Sequence, residues 1–194
     1  QPTLEQPGLG KIVCSVECPS ACSSEFEGRA GEDCAAVLTN QLSSILSGCS
    51  ALRRELSLKE GAQCWSLSVD ATVLSNGGNL LDACLFAASM ALRDLSIPKS
   101  SLLSHYSTGS TEILVDYPND FGALLLAPVL EGVPLCVSIC TVGQLLFVDP
   151  TAQEELCCDA RIVVAFLRSG DVTSVFKNGR GAIAESVMAH ILSI

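Results

Sequence analysis

Apolar and polar positions fall into a few clean periodic runs in this chain, and those runs define its elements. From Lys11 to Cys18, the residues Ile12, Cys14, Val16 and Cys18 share one face of a period-two pattern, which predicts a strand. Between Gly28 and Ser47 the period changes: Val37, Leu38, Leu42, Ile45 and Leu46 recur at helical spacing, and Gly48 supplies the stop. A second strand is predicted over Gln63–Ser75, where Val69, Ala71 and Val73 alternate with Ser68, Asp70 and Thr72. It ends in the turn residues Asn76, Gly77 and Gly78, and a helix follows over Asn79–Leu95, ended by Pro98. Asp82 is the only charged side chain from Leu80 to Leu92, so this helix is expected to be buried on almost every face.

The later half reads as strands. Segments at Glu112–Tyr117 and Leu124–Val129 flank a turn at Pro118–Gly122, and the legibility of Ser96–Pro134 is otherwise poor. Two hairpins follow: Leu135–Thr141 with Gln144–Val148 about Val142–Gly143, and Arg161–Arg168 with Val172–Lys177 across Ser169–Asp171. A final helix is predicted at Ile183–Leu192. Strands mixed with a few buried helices, and hairpins late in the chain, define an α+β fold: an antiparallel or mixed sheet with helices packed on it.

Composition narrows the function classes. The 194 residues, 48% of them hydrophobic, are enough for one domain with a substantial core. No uncharged apolar run reaches membrane-spanning length, since Ala123–Cys140 is broken by Glu131, Gly132 and Pro134. No basic stretch followed by an apolar one opens the chain, so no secretory signal is read. Eleven cysteines occur at spacings that match no metal framework, and most sit in apolar runs, where a free thiol behaves as a small hydrophobe in a reducing compartment. Disulfides or zinc are the alternative. Eleven Lys plus Arg against 21 Asp plus Glu give a net charge of −10, and no basic run exceeds Arg53–Arg54. A protein that grips nucleic acid alone carries a concentrated basic face. This one would touch RNA only through a few arginines placed in a larger assembly.

An ordered set of short motifs adds to this. Glu27-Gly28-Arg29, Trp65 with Val69-Asp70, Gly77-Gly78-Asn79-Leu80 with Asp82-Ala83, Ile97-Pro98, Val148-Asp149-Pro150-Thr151 and Glu154-Glu155 follow one another from near Gly10 to the C-terminus. In this order they resemble the ribonuclease PH family, and the Gly-Gly-Asn-Leu variant resembles its noncatalytic branch. The resemblance implies a single ribonuclease PH-like domain over residues 1–194 that lacks the family's N-terminal strands. Active members degrade RNA from its 3′ end by phosphorolysis, using cationic and N–H donors around the attacking phosphate and an acid for the leaving oxygen. The noncatalytic branch sits in the core ring of the RNA exosome. Its implied partners are other ribonuclease PH-like subunits in a hetero-hexameric ring, cap subunits, and RNA threading the channel, in the nucleus, nucleolus and cytoplasm. No cofactor or membrane contact is implied. The competing reading is an active phosphate-dependent 3′-to-5′ exoribonuclease.

The candidate site follows residue by residue. A strand that enters a helix through a glycine turn is a place to hold phosphate, because free N–H groups point outward there. By the resemblance, Arg29 retains the family's first arginine, while the second, six residues on, falls on Ala35. The helix-start signature reads Gly78-Asn79-Leu80, so leucine replaces a third arginine, and the acidic position falls at Glu155. Leucine offers no forked guanidinium. Losing one such donor from a water-excluded site costs on the order of 3–4 kcal/mol of transition-state stabilisation. Simpler roles stand beside these. Asn79 and Asp82 match a helix N-terminus, a side-chain cap with an acid near the positive end. Asp70 is a solvated strand residue or holds a loop. Arg29 either pairs with Glu25, Glu27 or Glu32, or contacts RNA or phosphate at a subunit boundary. Glu154 and Glu155 near Asp149 form either a solvated helical turn or a metal site. His105 and His190 have no acid or nucleophile motif beside them, and Trp65 reads as core or interface packing.

Overall fold

The structure is a computed structural model that describes residues 9–59, 63–97, 100–104, 111–115, 124–125, 132–143 and 145–191. It opens with β1 (Lys11–Glu17), whose even positions Ile12, Cys14 and Val16 are buried while the odd ones face solvent, as the alternation requires. A short 3-10 turn at Ser24–Phe26 leads into α1 (Arg29–Ser47), which starts after Gly28 in the left-handed region (φ 64°) and ends at Gly48. The buried stripe of α1 includes Leu38, Leu42, Ile45 and Leu46, four of the five residues its periodicity selects; the fifth, Val37, sits at the stripe's edge and is 50% exposed.

A six-residue helix, α2 (Ser50–Glu55), follows directly; nothing in its periodicity announces it. Leu52 and Leu56 anchor it in the core, and Arg53 donates from Nε to the carbonyl of Gly10 at 3.0 Å. The strand expected over Gln63–Ser75 is broken at Trp65 and stops at Thr72. A short ladder joins β2 (Ser57–Lys59) to β3 (Gln63–Cys64), and β4 (Ser66–Thr72) pairs in parallel with β1 from Lys11↔Ser66 to Glu17↔Thr72. Trp65 packs against the core.

The second of the predicted helices is α3 (Leu80–Asp94). Its inward face buries Leu81, Cys84, Leu85, Ala88, Ser89 and Leu92. The expectation of burial on almost every face does not hold: Phe86 is 60% exposed and Met90 41%, because no described element covers that side. Pro98, the expected terminator, lies outside the described residues, and the helix ends at Asp94 before the short β5 (Ser96–Ile97).

Three further short strands follow: β6 (Ser100–Ser104), which pairs antiparallel with β7 (Thr111–Val115), and β8 (Leu124–Leu125), which pairs with β5. β7 and β8 overlap the segments expected to be strands, while β6 lies where the pattern announces none; the Pro118–Gly122 turn, His105 and residues 126–129 lie outside the described residues. Both late hairpins are present. They form one antiparallel sheet of β10 (Leu145–Val148), β9 (Leu135–Val142), β11 (Ala160–Phe166) and β12 (Val172–Asn178), in that order. Two small helices complete the chain: α4 (Ala152–Cys157), and α5 (Glu185–Ile191), the last at the position expected for the final helix. Leu192, its expected end, lies outside the described residues.

The expected α+β class is therefore present, with both parallel and antiparallel ladders and helices packed on them. One core cluster joins the two halves: Val163 and Ala165 of β11 are buried with Ile12, Val16, Leu42, Leu81 and Leu85. A smaller cluster of Ile139, Ile162, Val164 and Ile191 lies on the other face of the antiparallel sheet. Every one of the eleven cysteines is a free thiol.

Candidate functional site

The predicted phosphate turn runs between β4 and α3, and its backbone is dictated by its residues. Gly78 adopts φ +101°, and a Cβ there would lie 2.4 Å from the amide nitrogen of Ala152 and 2.5 Å from the carbonyl oxygen of Pro150. Only glycine lets the turn lie this close to the segment leading into α4. The contact is fastened by the Ala152 N–H, which donates to the carbonyl of Gly77 at 3.0 Å. Asn79 follows in the left-handed region at φ 51°, a conformation asparagine tolerates better than most residues.

The N–H groups expected to point outward are already taken. The Gly78 N–H donates to Asn76 Oδ1 at 3.1 Å, and the Asn79 N–H donates to Glu155 Oε1 at 3.1 Å. Glu155 is held from the other side by an ion pair to Arg161, with both side chains mostly buried. The protein's own carboxylate, neutralised by its own guanidinium, thus occupies the positive end of α3. This arrangement forms one wall of a cleft of about 310 Å³ that Glu25, Asn76, Cys140 and Asn178 also line.

Asn79 does not cap α3 with its side chain, contrary to the sequence expectation. The left-handed backbone turns the amide elsewhere: Nδ2 donates to Asp82 Oδ2 and to Asp149 Oδ1, both at 2.9 Å. Asp82 in turn accepts from the Ser138 N–H at 2.8 Å, the Ser138 hydroxyl at 2.9 Å and the Cys136 thiol at 3.0 Å. Its role is to bind α3 to β9, beyond the expected favourable charge near a helix N-terminus. Burial pushes the Cys136 thiol well up from its ordinary value, and the Asp82 carboxylate beside it adds to the shift.

The other predicted site residues disperse. Leu80 packs against the core and lines a groove between β4 and α3. Ala35 is half-buried against the same core. Arg29 stands at the start of α1 with its side chain 88% exposed, and its ion partner is Asp33 one turn on at 4.0 Å. Glu25, one of its expected partners, instead accepts from Asn76 Nδ2 at 3.0 Å. Glu154 and Glu155 do not act together: Glu154 completes a capping box with Thr151 at the start of α4, while Glu155 turns to Asn79 and Arg161. Among the described residues no group of three His, Cys, Asp or Glu side chains is placed to hold a metal. Asp70 is solvated and accepts from the Ser68 hydroxyl at 3.1 Å. Sequence reasoning missed Arg161, which reads as an ordinary strand position; its one signal is a lone cation at the head of an apolar strand six residues after Glu155.

A parallel strand–helix layer on an antiparallel sheet, with a glycine turn at a helix N-terminus facing a late acidic helix, defines the class of fold found in 3′ exoribonucleases. The comparisons agree. The chain belongs to the ribonuclease PH family: it matches the 3′ exoribonuclease family, domain 1, over residues 1–98, and domain 2 of that family over residues 132–194. It is 30% identical to the exosome complex component Rrp42 of Pyrococcus furiosus, over 97% of this chain and 65% of the relative. It is 27% identical to the component of the same name in Methanopyrus kandleri, over 100% and 69%. It is 28% identical to the exosome complex component RRP45A of Arabidopsis thaliana, over 100% and 62%. The chain thus spans about two thirds of the length of the curated relatives it matches. A solved Archaeoglobus fulgidus exosome with RNA bound to the active site shares the fold at a TM-score of 0.74 and 23% identity, covering 100% of this chain and 69% of that one.

Proposed function

We propose that this chain is a noncatalytic structural subunit of an RNA exosome core ring, supporting 3′-to-5′ RNA processing and degradation by helping to form the channel that RNA threads. The observation that carries this reading is the Glu155 carboxylate on the Asn79 N–H, backed by Arg161. A phosphorolytic enzyme needs that helix end for inorganic phosphate, and a carboxylate already seated there occupies the donor a phosphate oxygen would use. Gly78-Asn79-Leu80 and Glu155 are then a degenerate phosphate site and acid position. Among the described residues Arg29 is a cation available to RNA, exposed and held by a marginal i,i+4 pair. The similarity to relatives named as exosome complex components supports the same assembly.

The chain acts in this reading as one ribonuclease PH-like unit, a view supported by the core that its two family-matched portions share. Its partners are other ribonuclease PH-like subunits in a hetero-hexameric ring, together with cap subunits. Its compartment is that of the assembly: nucleus, nucleolus and cytoplasm in a nucleated cell.

Co-purification with candidate ring subunits, followed by RNA protection, tests this. The expected result is a complex that protects single-stranded RNA, with protection weakened by Arg29→Ala while the isolated chain stays folded. Release of nucleoside diphosphates from RNA by the purified chain, dependent on added phosphate, would establish the enzyme reading instead. A stable monomer indifferent to the partners would remove the ring.

A further inference from the structure

Among the described residues the strand β4 has β1 as its only neighbour, which leaves its other side open. The ladder bonds show which backbone groups are free: the Lys11 N–H donates to the Trp65 carbonyl at 3.2 Å and the Val73 N–H to the Glu17 carbonyl at 2.9 Å. Odd-numbered groups therefore point toward β1, and the N–H and C=O groups of Ser66, Ser68, Asp70 and Thr72 point to the open edge. Neither lysine nor proline guards this edge, and the register with β1 runs without a bulge.

Alongside that edge runs an apolar groove of about 620 Å³, shared by β4 and α3. Leu67, Val69 and Ala71 form one wall, and Ala83, Ala87 and Ala91, one turn apart on the exposed side of α3, form the other. Three alanines in register leave a trough with no bulky side chain on that stretch of the helix wall. On the solvent face of β4, the acid Asp70 stands among Ser66, Ser68 and Thr72.

We propose that this edge and groove receive an extended strand from a partner polypeptide, about seven residues long, with apolar side chains at alternate positions and a basic residue opposite Asp70. Main-chain hydrogen bonds to the four outward residues would hold it. Its apolar side chains would fill the alanine trough, and its base would answer Asp70 in a chain of net charge −10. A second copy of this chain fits less well. Pairing β4 to β4 would bring two Asp70 side chains onto one solvent face between two chains of net charge −10, whereas a basic strand meets Asp70 with the opposite charge. The inference does not depend on the ring assignment, since it rests only on β4 and α3.

The test uses the full chain, isotope-labelled, with the synthetic peptide acetyl-Lys-Val-Thr-Val-Lys-Val-Thr-amide as probe and amide hydrogen exchange as readout. With peptide at ten times its dissociation constant, the amides of Ser66, Ser68, Asp70 and Thr72 should exchange about tenfold more slowly, while those of Leu67, Val69 and Ala71 should not change. The peptide with both lysines replaced by glutamate should lose the effect. So should Ala87→Leu, which fills the trough from an exposed helix position, and Ser68→Pro, which deletes one outward donor without touching the β1 ladder. Unchanged exchange at the four amides with the lysine peptide overturns the proposal. Protection that grows with protein concentration and no peptide also overturns it, assigning the edge to a second copy.

Discussion

Asp82 and Ser138 are joined twice, through the Ser138 backbone N–H at 2.8 Å and its hydroxyl at 2.9 Å, and Ser138 is fully buried. This double contact fixes the start of α3 to the middle of β9. Asp82→Ala leaves a buried amide donor and a buried hydroxyl without acceptors, so a loss of about 2–3 kcal/mol is expected. Urea unfolding should show a lower midpoint with an unchanged slope. A variant as stable as the parent would mean that the α3–β9 junction is held by packing alone.

The Glu155–Arg161 pair also holds a junction. Both side chains are mostly buried, so Glu155→Ala leaves the guanidinium and the Asn79 N–H without their acceptor and should cost about 2–3 kcal/mol. It should also have a chemical effect: the Asn79 N–H and the Arg161 guanidinium become available together at the head of α3. Inorganic phosphate should then shift the Asn79 amide resonance in the variant and leave it in place in the parent. A parent that responds equally would show that the carboxylate does not block the seat.

The thiols should divide sharply by burial. Burial pushes Cys18 up to about 12, with Cys34 beside it adding to the shift, and pushes Cys140 up to about 12, with a hydrogen bond to Cys158 adding to it. Since the thiolate is the reactive form, native-state alkylation at pH 8 should label the exposed Cys157 first and leave Cys18, Cys136 and Cys140 unlabelled until unfolding. The linkage has a definite sign. Folded-state values raised above the ordinary 9.0 favour the protonated thiol, so their contribution is complete below pH 9 and is lost as pH rises toward about 12. Thermal unfolding between pH 8 and pH 11 should therefore show a falling Tm.

Leu80→Arg should not create phosphorolysis. Leu80 packs on the core side and lines the β4–α3 groove, so an arginine there sends its head group into that groove while Glu155 keeps its place on Asn79. An assay of RNA with added phosphate should release no nucleoside diphosphate. Measurable release from this single change would mean that leucine at position 80 was the whole defect.

Local pattern carried the elements whose faces are decided by their own packing. Glycines bracket α1, and its stripe of Leu38, Leu42, Ile45 and Leu46 needs no partner to be recognised. The extent of α3 was equally plain, but its exposure was not, because Phe86 and Met90 face a side that no described element covers. Turn chemistry misled at Asn79. Asparagine before a helix ordinarily caps with its side-chain oxygen, yet it also tolerates the left-handed backbone, and here that second property won. Arg161 stayed hidden because its meaning depends on α4 bringing Glu155 back over the α3 terminus, a tertiary fact that strand periodicity does not encode.

Because Val163 and Ala165 lie in the same hydrophobic cluster as Ile12 and Leu42, the two family-matched stretches should not behave as separable pieces. A protease that nicks the chain between residues 98 and 132 should yield two fragments that migrate together until denaturant is added. Either fragment expressed by itself should depend on the other's presence to stay in solution.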